Sequence, residues 1–264
     1  MVSFRVDEQV SRSPVAIFRR RISLRLKQAL KKVKWRIESE ATLATSLHLE
    51  SSLHFLDELN QNNNKVWFDA HRPAYESTRK TFEQFINDLI DEYRISDRLQ
   101  DLSARECIAR IYRDIRFSKN KSPYKKNYSA IVAPGGWRTD ALGYYVSIQP
   151  GGQSMVAGGL YSPTAEQLYR FRQVIDGDAA PFKKITQARE FVTTFGVIAA
   201  DRLKTAPKGF DRDHPEISLL RLKQITALHS FTDAEVLAND FEERVVEVCQ
   251  AMRPFLDYLA GIFH

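Results

Sequence analysis

Charge-bearing side chains crowd most closely in the run Arg110-Ile111-Tyr112-Arg113-Asp114-Ile115-Arg116-Phe117-Ser118-Lys119-Asn120-Lys121-Ser122-Pro123-Tyr124. Over residues 105–126, eight Lys/Arg face two acids, Glu106 and Asp114. Guanidinium forks beside tyrosine hydroxyls suit recognition of a phosphate or carboxylate. Arg110, Arg113, Asp114, Arg116, Lys121 and Tyr124 therefore form the candidate ligand-binding set. In an extended strand Arg110, Tyr112, Asp114 and Arg116 share one face and Arg113 points to the other. Arg110 and Arg116 then stand roughly 20 Å apart and cannot clamp one phosphate unless the chain bends. Asp114 is near enough to either to orient it through a bidentate pair.

Three readings of this run stay open. It can be an ion-pair network that fixes packing, an anion-recognition centre, or a catalytic site. In the last case the arginines stabilise developing charge and Asp114 or Tyr124 transfers a proton. Concentrated like charge is costly without neutralising partners, and Asp211 and Asp213 are the outside candidates. No nucleophile–base pair accompanies the run, since the nearest histidines in sequence are His71 and His214. The expected function is an anion-recognising binding or interaction module, its partner an anionic small molecule or protein. The alternative is an enzyme acting on a phosphorylated or carboxylated substrate.

Other motifs carry less. Asp211-Arg212-Asp213-His214 has ligand chemistry, but no HxH or HExxH spacing completes a site. Asp213 with Glu216 reads as a capping box, so no metal is expected. Walker and dinucleotide glycine fingerprints are absent, and no cofactor is expected. Pro134-Gly135-Gly136 and Pro150-Gly151-Gly152 read as turns rather than phosphate cradles, and Gly158-Gly159 as a close strand-to-helix turn. Trp67, Phe68, Tyr75, Tyr144 and Tyr145 have the ring faces to stack on bases, yet their spacing fits packing. Recognisable nucleic-acid-binding patterns are missing.

The elements that must position these residues follow from periodicity. Ser51 or Ser52 caps a short helix with Leu53, Phe55, Leu56 and Leu59. The polar break Asn60–Asn64 precedes a second helix with Trp67 and Phe68, and Pro73 opens a long one carrying Phe82, Phe85, Ile86, Leu89 and Ile90. From Glu106 the period falls to two, which predicts a strand over 107–117. Further strands are expected at 129–133, 142–149, 155–160 and 225–231. Helices return after Pro163, with Gly196 as a stop, then a short one with Leu219, Leu220 and Leu222. A last helix runs from Phe241 to about Ile262, with Pro254 inside it. The fold class is α+β: a single domain over 48–264 with a central antiparallel sheet flanked by N- and C-terminal helices.

The basic balance sits outside that domain. Residues 1–47 hold eleven Lys/Arg and four Asp/Glu, while the remaining 217 hold 28 and 29. General polyanion binding by the body is thus unsupported. Phe18, Ile22, Leu26, Leu30, Val33 and Ile37 recur at helical spacing among the basic residues, giving a basic amphipathic extension. Packing on the body, contact with nucleic acid or a membrane surface, and targeting are its alternatives. No run of 18 uncharged apolar residues exists, which rules out a transmembrane helix by sequence. Two cysteines in apolar settings fit a reducing compartment better than a disulfide framework.

The long run resembles the signature R-x-x-R-D-x-R-F-x-x-x-K-x-P-Y of a mostly bacterial conserved-hypothetical family, the domain of unknown function numbered 2461. Arg110, Arg113, Asp114, Arg116, Phe117, Lys121, Pro123 and Tyr124 fill every position. Asn62-Asn63-Asn64-Lys65, Trp67-Phe68, Gly143-Tyr144-Tyr145, Pro150-Gly151-Gly152, Pro207–Asp211, Asp213-His214-Pro215 and Leu220–Lys223 are similar to the family as well. The resemblance covers roughly residues 50–260. It implies a cytoplasmic protein of unknown activity and supplies no catalytic residues.

Overall fold

Burial alternates without a break along Ser154–Leu160, as a strand with one covered face requires. This strand, β3, lies third in a four-stranded sheet of order β1-β2-β3-β4, with β1 Tyr128–Val132, β2 Tyr144–Ile148 and β4 Ile225–Phe231. Every pairing is antiparallel; Ala130 faces Val146, which faces Val156 in turn. The computed structural model describes residues 49–93, 99, 102–139, 141–198 and 201–263. All of these belong to one unit, Thr45–His264. The expected basic helix of residues 1–47 lies outside the described residues.

Two long helices pack on one face of the sheet. α3, Arg72–Tyr93, follows a helix α1 over 49–61 and the short α2, Lys65–Ala70. The Tyr93 hydroxyl donates to the Val246 carbonyl on the last helix, α10, Phe241–Phe263. Phe82 stacks on Tyr128 of β1 at 5.6 Å between centroids, and the Tyr128 hydroxyl meets Thr78 Oγ1 at 2.7 Å. α10 lies so close to β3 that a Cβ on Gly158 would fall 2.5 Å from Met252 Sδ and one on Gly159 3.0 Å from the Phe255 ring, while neighbouring β4 would put its Ile225 carbonyl 2.2 Å from the latter. That close approach places the glycine pair inside β3 instead of at a strand-to-helix turn.

Between β3 and β4 the chain makes α5 Ala165–Gly177, α6 Ala180–Thr186, α7 Arg189–Phe195 and α8 Ile217–Leu220. Thr164 caps α5 through the Gln167 N–H, and Gly196 ends α7 at φ +66°. Arg172 ties α5 to α8 by donating to the Leu220 and Leu222 carbonyls at 2.7 and 3.1 Å. The α9 turn, Asp233–Val236, precedes α10.

Three local expectations are corrected. Helix α1 is already formed at residue 49, so Ser51 and Ser52 lie within it; the Ser52 hydroxyl donates to the Thr78 carbonyl. Asp213 caps no helix, because the Glu216 N–H donates to His214 Nδ1 at 3.0 Å and α8 starts only at Ile217. The segment 107–117 is no strand. Ser103 and Glu106 cap a turn of helix, α4 Ala104–Cys107, with both the Ser103 N–H and hydroxyl donating to the Glu106 carboxylate. Only isolated bridges follow, Ile108 with Ala130 and Tyr112 with Tyr124.

Candidate functional site

The signature run is a loop closed at its own feet. Arg113 N–H donates to the Pro123 carbonyl and Lys125 N–H to the Ile111 carbonyl, at 2.9 and 2.7 Å. These bonds flank Tyr112 and Tyr124, which makes them a non-hydrogen-bonded antiparallel pair whose own backbone groups point away from each other. Tyr124's groups meet Asn63: its N–H donates to Asn63 Oδ1 at 3.0 Å, and its carbonyl accepts from Asn63 Nδ2 at 3.1 Å. The Tyr124 ring is buried and stacks on Phe68 at 4.0 Å. Neighbouring Asn64 starts α2 by accepting the Trp67 N–H at 3.0 Å.

Inside the loop two of the four basic groups, Arg113 and Lys121, turn inward to main-chain carbonyls. Arg113 donates to the Ser122 carbonyl at 2.9 Å and reaches Ser118 Oγ at 3.4 Å. Lys121 Nζ donates to the Ile115 and Arg116 carbonyls. Arg116 grips Asp114 with two N–H groups, at 3.0 and 2.7 Å, and those bonds hold the Asp114 carboxyl below its ordinary range. Phe117, at the loop tip, is 97% exposed. The alternating pattern had placed it with the apolar face.

A cleft of about 580 Å³ opens where the loop's feet meet α4 and the β1–β2 connection. Arg105 and Glu106 come from α4, Arg110 and Tyr112 from the outgoing foot, Asp114 from the loop base, and Lys125 from the returning foot. Trp137 and Arg138 come from the 3₁₀ turn Gly136–Arg138. Gly136 fixes that turn. Its φ is +61°, and a Cβ there would lie 2.6 Å from the Glu106 carbonyl oxygen, so the turn rests directly on α4.

Charge in the cleft is unevenly paired. Arg105 turns to Glu83 at 2.8 Å, Asp114 to Arg116, and Glu106 is held ionised by Ser103. Among the described residues no carboxylate stands within ion-pair distance of Arg110, Lys125 or Arg138. Lys125 Nζ sits over the Trp137 ring at 5.5 Å; burial and the charge of Arg110 lower its pKa.

Of the six candidate residues, the structure brings Arg110 and Asp114 into this cleft; Arg113, Arg116, Lys121 and Tyr124 build the loop that frames it. Lys125, Trp137 and Arg138 also line the cleft and lie outside the candidate set, although the Pro134-Gly135-Gly136 turn directly before Trp137 was a readable signal. The proton-transfer roles find little support. Asp114 is held ionised by Arg116, and burial raises the Tyr124 phenol, so neither titrates near neutrality.

Elsewhere the other motifs are satisfied from within. The Gly151 and Gly152 N–H groups do hold an anion, the Asp233 carboxylate, at 2.8 and 2.9 Å. His214 accepts from Glu216 N–H on Nδ1 and faces Asp176 at 3.3 Å on Nε2, so both ring nitrogens are engaged. No group of three metal-ligating side chains occurs among the described residues, nor any helix long and apolar enough to cross a membrane. Both cysteines are buried, and burial pushes the Cys107 thiol up to about 12.

The profile of a family described as a conserved hypothetical protein (DUF2461) matches residues 51–258. The chain belongs to that family. The match begins after the basic extension and takes in the loop, both its feet and the cleft. No curated protein and no solved structure matches the chain. Membership in DUF2461 brings no activity with it, so any function rests on the geometry of the cleft.

Proposed function

We propose that the cleft between α4, the loop feet and the Gly136–Arg138 turn recognises a phosphate- or carboxylate-bearing ligand, as a binding or interaction module. One observation carries this reading. Arg110, Lys125 and Arg138 line a single cavity with no carboxylate at ion-pair distance among the described residues. Like charges brought together repel, and the repulsion is offset when an anion lies between them. Burial is the main cause of the lowered Lys125 pKa, and the smaller contribution of Arg110 is that repulsion felt at one amine. Arg113 and Lys121 take part indirectly, by fixing the loop whose feet carry Arg110 and Lys125.

Thermal melts of the full chain across phosphate, sulfate, citrate and chloride at constant ionic strength test the reading. A ligand present at a hundred times its Kd adds about 2.7 kcal/mol, a rise of roughly 5–10 °C for a domain of this size. The Arg110→Ala, Arg138→Ala double variant should lose that rise. A rise that survives in the double variant belongs to another part of the chain, such as residues 1–47, and overturns the assignment, as does the absence of any rise above chloride.

A further inference from the structure

We propose that the anion this cleft takes carries a planar ring, as a nucleoside phosphate does, with its phosphate on Arg110 and Arg138 and its base against Trp137. The inference rests on the anion reading of the same cleft and adds a substrate class to it. Two aromatic side chains line the cavity, Trp137 and Tyr112, and both are open to it, 42% and 52% exposed. Phe117 at the loop tip is exposed but does not line the cavity. Phe68, Tyr124 and Tyr128 are buried and pack on one another or on Tyr75.

Both open rings are held in place. Tyr112 is backed by Tyr124 and Phe68, with centroids at 5.5 and 6.2 Å. Trp137 is carried on the turn that Gly136 seats against α4, and the Lys125 ammonium stands over its face. An exposed ring of fixed orientation loses little freedom on stacking, which is what makes aromatic platforms effective for bases. Inorganic phosphate would engage the cations and leave both rings in water. A cavity of about 580 Å³ also exceeds what such an ion fills and lies in the range of small organic ligands. Glu106 and Asp114, both ionised, supply acceptors at the rim for ribose hydroxyls or an exocyclic amine.

Isothermal titration of the full chain with AMP, ribose 5-phosphate, inorganic phosphate and adenosine separates the contributions. AMP should bind about tenfold more tightly than ribose 5-phosphate, the contribution of one stacked base. Trp137→Ala should bring AMP down to the ribose 5-phosphate level while leaving ribose 5-phosphate unchanged, and Trp137→Phe should keep most of the difference. Arg110→Ala should weaken both phosphates. Equal binding of AMP and ribose 5-phosphate overturns the ring while leaving the anion reading intact. Binding of adenosine as tight as AMP, or of no phosphate at all, overturns both. If Trp137→Ala fails to fold, Trp137→Leu, which keeps apolar bulk without an aromatic face, gives the same comparison and should lose the difference that Trp137→Phe keeps.

Discussion

Removing the half-buried Asn63 side chain should cost more than removing that of its exposed neighbour Asn64. Its amide is the sole partner, among the described residues, of both backbone groups of buried Tyr124, at 3.0 and 3.1 Å. In Asn63→Ala both groups lose that partner, and each unsatisfied buried group costs about 1–3 kcal/mol. These bonds are only part-buried, so water recovers some of the loss and a total of about 2–3 kcal/mol is expected. At 2–4 °C per kcal/mol, the melting temperature should fall by about 5–10 °C. The adjacent Asn64→Ala is the internal comparison, since it removes one N-cap bond to Trp67, worth about 1 kcal/mol. Urea and thermal melts of the two variants beside the parent decide the matter. If Asn63→Ala loses no more than Asn64→Ala, Asn63 does not hold the loop's returning foot, and the account of how Tyr124 is fixed is wrong.

Gly136→Ala should destabilise by about 2–4 kcal/mol, because the new methyl meets the Glu106 carbonyl at 2.6 Å in a left-handed backbone. Gly152→Ala, at similar φ but with nothing within 4 Å, should cost only about 1 kcal/mol, and equal melts for the two would remove the steric argument. Glu242 has a raised pKa, first from burial and then from Asp88 and Glu92 on α3. A carboxyl that binds its proton more tightly folded than unfolded weakens the fold where it is ionised, and acidification through its folded pKa relieves that. Glu242→Gln should therefore raise the melting temperature at pH 8 by about 1–3 °C, with the gain vanishing as pH falls through the raised carboxylate range. A lower melt at pH 8 would mean that the favourable position of Glu242 in the first turn of α10 outweighs its burial.

Where side chains alone decide an element, the sequence was readable. The 3.6-residue stripe of Phe82, Phe85, Ile86, Leu89 and Ile90 matches α3, because that pattern reports burial directly, and the strand expected at 155–160 lies within β3. Cys107 and Ile111 are buried as their alternation required, and Ile108, outside that alternation, is buried as well. The strand through 117 failed for a different reason. A strand needs a neighbour for its backbone groups, and beyond Arg113 those groups are satisfied by Lys121, Asp114 and the loop itself. Charged side chains replaced a sheet partner, and apolar spacing carries no trace of that. The cleft was half visible for a related reason: Arg110 and Asp114 lie in the run, while Trp137 and Arg138 arrive through the β1–β2 connection, which only the tertiary fold brings alongside.

The charge density that drew attention to residues 105–126 has two parts with different consequences. Arg113 and Lys121 are held by main-chain carbonyls and Arg116 by Asp114, so their hydrogen bonds go to fixing the loop's shape. Neither Asp211 nor Asp213 is needed for this; Asp211 accepts the Asp213 N–H instead. Arg110 and Lys125 lie at the two feet, and the Lys125 N–H to Ile111 carbonyl bond holds the feet together. The loop therefore works as a clamp that keeps two cations beside one another at the mouth of a cleft completed by Arg138. Loosening it at Arg113 would let Arg110 and Lys125 move apart and would lower any affinity that depends on their joint field. The same change should reduce the cost of bringing them together in the free protein. Stability and binding would then respond in opposite senses to the electrostatic part of the change, which pure packing does not produce.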